Sequence, residues 1–152
     1  MTTILLPIRR EPTLTEGDEL EALLSEGMVE IPLLGEVAAG QPIEAWEQQE
    51  LVLVPKALQR KDTFALRVKG DSMIEMNIQN GDLVVIERTQ TAANGETAVV
   101  RINQETVTLK KLYVQADGVC LMPANSSMEP IWLDNADVEV VGILRGVIRD
   151  QI

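Results

Sequence analysis

The chain has 152 residues, 45% of them hydrophobic, a length and composition that fit one packed domain. A formal charge of -11, from 13 basic and 24 acidic side chains, repels phosphate backbones, so unaided DNA binding is not expected. Histidine is absent, which excludes Ser-His-Asp and Cys-His catalysis and histidine zinc sites, and the single Cys120 excludes an internal disulfide and multi-cysteine zinc sites.

Residues 1–12, MTTILLPIRREP, lack both sustained periodicity and a secretory apolar core, and read as a loose leader. From Thr13 one helix is expected: Leu20, Leu23 and Leu24 share a face, acids crowd the first turns and Gly27 can end it. A helix-turn-helix needs two helices and a basic reading face, so no DNA-reading module is expected here. No run approaches the roughly 20 apolar residues of a membrane span, and the expectation is a soluble cytoplasmic protein without metal or cofactor.

After Met28 the texture changes to short β-branched runs: IPLLGEVAAG, LVLVP, TFALRVKG, DLVVIER, ETAVVRI, ETVTLKKLYV, GVCLMP and VEVVGILRGVIR. Asn80-Gly81, Asn94-Gly95 and Asp117-Gly118 lie between them as turn dipeptides. The spacing is too short for βαβ crossovers, so a mostly β domain of short twisted strands is expected, behind an N-terminal arm with at most one helix. The boundaries read from the sequence are 1–30 for the arm and 31–152 for the domain, with Cys120 packed as a small hydrophobe.

Phe64, Leu66 and Val68 alternate up to Gly70 and then stop, which puts Ser72 at the mouth of a strand. A serine hydroxyl needs a base to attack at neutral pH, and without histidine the usable bases are a carboxylate or a neutral lysine. Burial can strip a lysine of its proton, so the place to look is a lysine inside an apolar strand. VTLKKLYV offers Lys110 and Lys111. Alternation places Thr108, Lys110 and Leu112 on one face and Val107, Leu109 and Lys111 on the other, and apolar partners alone lean slightly to Lys111.

Taken together, GDSM at 70–73, NGDLVVIE at 80–87, NGETAVVRI at 94–102, VTLKKL at 107–112 and VAAG at 37–40 resemble the LexA/UmuD family of self-cleaving serine peptidases. The resemblance covers about residues 31–150. It implies a Ser-Lys dyad of Ser72 and Lys110, and a substrate that is the chain's own segment 33–42, cut between Ala39 and Gly40. Small residues suit that role, because they let an extended backbone approach a serine closely. The nearest donor for the developing oxyanion is the Ser72 N–H. The resemblance further implies a trigger by a RecA filament on single-stranded DNA, an SOS response to DNA damage, and a homodimer, for which the apolar run Val138 to Ile148 offers an edge strand or core.

LexA repressors carry a helix-turn-helix ahead of the cleavage segment, whereas 39 residues precede Gly40 here. In length the chain is closer to UmuD-like proteins, which partner a translesion polymerase, while its Ala-Ala-Gly is more LexA-like. Two functional roles follow from the family, a UmuD-like mutagenesis protein or a LexA-like transcriptional regulator. The rival is a non-catalytic dimeric module docking a DNA-repair or transcription partner. A signal-peptidase-like enzyme is weakened by the missing membrane anchor.

Overall fold

Alternating or wholly apolar runs bounded by glycine turns become strands, and nearly every such run in this sequence does so. The computed structural model describes residues 2–8, 11–15, 24–37, 41–42 and 50–150. Its strands are β1 (Thr2–Ile8), β2 (Glu11–Thr15), β3 (Met28–Val37), β4 (Gln41–Pro42), β5 (Glu50–Pro55) and β6 (Thr63–Val68). They continue with β7 (Leu83–Arg88), β8 (Thr97–Ile102), β9 (Thr106–Gln115), β10 (Gly118–Met122), β11 (Ile131–Leu133) and β12 (Val138–Asp150). One sheet runs β11-β10-β9-β8-β12-β7-β6-β3-β5, with β1 and β2 attached beyond β12 and β4 lying on β9. The expected mostly β fold is what forms. Among the described residues no helix is long and apolar enough to cross a membrane.

The core is built from buried side chains of β3, β6, β7, β8, β9 and β12 and of the segment after β6. Phe64, Leu66, Val84, Ile86, Val99, Val107 and Leu109 pack into one cluster with Met73, Met76 and Ile78. Each such fully buried side chain contributes roughly 1.5–3 kcal/mol of burial. A second cluster, including Ile31, Val54, Ala65 and Val85, lies on the other side of the same strands. β6 and β7 are therefore covered on both faces, and their near-continuous apolar sequence reflects it.

Three expectations are corrected, and one left open is decided. The leader is not loose: β1 pairs with β2 from Ile4↔Thr15 to Ile8↔Glu11, and with β12 from Thr2↔Asp150 to Leu5↔Val147. Thr13 to Thr15 of the expected helix belong to strand β2, and residues 16–23 lie outside the described residues. The run Val138 to Ile148 is not an edge. It is central, hydrogen-bonded to β8 on one side and β7 on the other, because its apolar residues are consumed by the core. The turn placed at Asp117-Gly118 falls one residue earlier: Gly118 opens β10 opposite Gln115, and a Cβ there would sit 2.7 Å from the Leu133 carbonyl oxygen.

Candidate active site

Ser72 is presented by the way β6 ends. The Lys69 N–H donates to the Val37 carbonyl at 3.0 Å, and Gly70 then takes a φ of +90° that other residues resist. The Gly70 N–H donates to Asn80 Oδ1 at 2.9 Å, so the Asn80-Gly81 turn supports the loop from below. A turn over residues 71–74 follows, closed by the Ile74 N–H on the Asp71 carbonyl at 3.2 Å. Met73 and Met76 point into the core and pin this turn, while Ser72 stays half-buried.

Lys110 is brought to it by β9. Residues 107–110 are buried on both faces, which is why alternation did not discriminate between the two lysines. Lys111 is half-buried beside Thr97 and Met122, whereas Lys110 is 2% exposed, so the lean to Lys111 is overturned. Lys110 Nζ donates to Ser72 Oγ at 3.1 Å, to Thr108 Oγ1 at 2.5 Å and to the Leu109 carbonyl at 3.3 Å. All three acceptors are neutral, and among the described residues no carboxylate pairs with this lysine. Desolvation thus acts without an opposing charge, and burial lowers the Lys110 ammonium from its usual 10.5 to about 8. At the same separation a neutral amine can accept the Ser72 proton, which is the geometry general-base activation requires.

Ala39 and Gly40 lie outside the described residues, but their flanks do not. Val37 pairs with Val68 at the end of β6, close in sequence to Ser72. Gln41 pairs with Val107 on β9, close in sequence to Lys110. The three residues 38–40 therefore connect a point beside the serine loop to a point on the lysine strand.

Several supporting residues escaped the sequence reading. Thr108 was placed on the Lys110 face, and only its role as the lysine's acceptor was missed. The loop between β10 and β11 clamps the serine turn: Asn125 Nδ2 donates to the Asp71 carbonyl at 2.9 Å, and the Glu75 N–H donates to the Ala124 carbonyl at 2.7 Å. The Ser126 N–H returns to Glu75 Oε2 at 2.6 Å, and Ser126 holds the Glu75 carboxyl below its ordinary range. Arg149 grips the buried Asp82 through two bonds of 2.9 Å and the Asn77 carbonyl through a third of 2.7 Å, tying the segment after the serine to β12. These partners are roughly 50 to 70 residues apart, beyond any local pattern.

A mostly β domain thus sets a serine hydroxyl on a loop within hydrogen-bond reach of a buried lysine amine. Residues 32–145 match the Peptidase S24-like family, and the chain belongs to it. It is 48% identical over 128 residues to a LexA repressor of Syntrophobacter fumaroxidans, a match covering 84% of this chain and 62% of that protein. LexA repressors of Pseudothermotoga lettingae and Clostridium novyi are 40% and 41% identical, each over 93% of this chain and over 74% and 72% of their own lengths. The chain thus spans 62–74% of these relatives.

Proposed function

We propose that the chain is a self-cleaving serine endopeptidase of the LexA type, with Ser72 as nucleophile, Lys110 as general base and acid, and Ala39-Gly40 as the bond cut. The observation that carries this reading is the 3.1 Å approach of Ser72 Oγ to a lysine buried among neutral acceptors.

In this reaction Lys110 Nζ takes the Ser72 proton as Oγ bonds to the Ala39 carbonyl carbon, and the carbonyl electron pair moves to oxygen. The C–N bond then breaks, and the Lys110 ammonium gives its proton to the Gly40 amine. Water, with Lys110 again as base, hydrolyses the Ala39 ester and restores Ser72. The anchored flanks support an intramolecular substrate, whose tether can be worth an effective molarity of about 10⁵ M. A RecA filament acts as the trigger by favouring the docked segment, a shift in population rather than a new chemistry. Of the two regulatory roles, transcriptional regulator is favoured over mutagenesis protein with a polymerase partner, since the relatives above carry the name LexA repressor.

Intact mass spectrometry after incubation from neutral to alkaline pH tests it. The expected result is one cut after Ala39, lost in both Ser72→Ala and Lys110→Ala. Wild-type protein that stays whole at every pH and with RecA filaments added overturns the reading. The second reading, a non-catalytic dimeric module, draws on edge strand β5, where Leu51 and Leu53 are exposed. It predicts that same absence of cleavage with partner binding retained.

A further inference from the structure

The serine turn contains one peptide group whose orientation is fixed from outside. The Asp71 carbonyl receives two donors, the Ile74 N–H at 3.2 Å and Asn125 Nδ2 at 2.9 Å. No peptide bond of the described chain is cis, so the Ser72 N–H points opposite to that carbonyl. Neither the Ser72 nor the Met73 N–H donates to an acceptor among the described residues. A carbonyl held by a neighbouring loop therefore leaves a peptide N–H directed outward beside the nucleophile. If this peptide rotated by half a turn, its carbonyl would take the N–H's place and repel a developing oxyanion.

Resting on the self-cleavage reading above, we propose that Asn125 is a positioning residue: it fixes the Asp71–Ser72 peptide so that the Ser72 N–H is presented as oxyanion donor. In this role Asn125 acts through the serine turn rather than on the substrate. Its amide reads two partners at once, donating through Nδ2 to Asp71 and accepting through Oδ1 from the Ser127 N–H at 3.0 Å and the Ser127 hydroxyl at 2.6 Å. The donor half serves the serine turn and the acceptor half builds its own loop.

Those halves separate in Asn125→Asp, which keeps the Ser127 contacts and sets an oxygen against the Asp71 carbonyl. Asn125→Leu removes both without adding charge. Self-cleavage of the full chain is followed by mass spectrometry across pH, giving a plateau rate and an apparent pKa, with thermal melting alongside. Loss of one oxyanion donor is typically worth 10²–10³ in rate, so the plateau is expected to fall on the order of 10²-fold in both variants. The Asn125→Leu apparent pKa should stay where Lys110 sets it. A plateau within about threefold of wild type overturns the proposal, whether or not the apparent pKa moves, because the N–H would then be presented without Asn125. Loss of cooperative melting in both variants assigns Asn125 to the fold alone and also overturns it. If wild-type protein never cleaves, the dyad reading itself has failed; cleavage by wild type with unaltered variants defeats only the role of Asn125.

Discussion

In the self-cleavage reading Lys110 is the residue on which the chemistry turns, and its environment makes two pH predictions of known sign. Its amine becomes available as the ammonium titrates near 8, so the self-cleavage rate should climb about tenfold per pH unit below that point and level above it. Rates measured by mass spectrometry that stay flat through this range would remove Lys110 as the base. The same burial costs stability while the lysine is charged. Between about 8 and 10.5 the unfolded chain holds the proton more tightly than the folded one, so stability rises with pH across this window. Lys110→Met should stabilise the fold by about 3 kcal/mol at neutral pH, with the gain shrinking towards zero by pH ~10.5, as read from urea unfolding at each pH. Thr108→Val should lower the apparent pKa further, because the ammonium loses its 2.5 Å acceptor, and should reduce the plateau rate about tenfold through a less fixed amine. At this scale the sequence was informative in one direction only. A serine after an abruptly ended strand and a lysine in an apolar one were legible, but choosing Lys110 over Lys111 needed the family, since both faces of β9 are covered where the lysine sits.

Among the elements, β12 does the most to hold the site together. Its Arg149 closes over Asp82, a carboxylate 2% exposed that also accepts the Gln79 N–H at 2.8 Å. Asp82→Asn leaves the guanidinium without its charge partner and should cost about 3 kcal/mol in urea unfolding; a loss under ~1 kcal/mol would mean that solvent replaces the partner freely. Gly142, at an irregularity in the β12 register, lies so close to β7 that a Cβ would meet the Glu87 carbonyl at 2.6 Å. The strand pattern made this run visible as apolar, yet periodicity carries no information about neighbours, and its central position depends on partners far away in sequence. The first residues of the expected helix are strand for a related reason: Thr13 to Thr15 are taken up by pairing with β1, and tertiary pairing overrides weak local preference.

For the molecule as a whole, the fold class was legible because the β-branched runs and glycine turns agree over more than a hundred residues, while the arm was not, because its strands exist only through pairing with one another and with β12. The anchored flanks of residues 38–40 make a further prediction in the self-cleavage reading. A substrate carried by its own chain meets the dyad without an encounter, so the first-order rate constant should be unchanged across a tenfold dilution. A rate that falls in proportion to concentration would place the cut in trans.

The position of β12 between β7 and β8 also has a meaning in time. A ribosome makes the serine loop and the lysine strand before it makes the strand that joins their two halves of the sheet. Until that strand arrives, β7 and β8 are unclosed edges and Asp82 lacks its guanidinium. In the self-cleavage reading, a nascent chain would lack the strand that joins its serine half to its lysine half, and so stay uncut, until the last described strand enters the middle of the sheet.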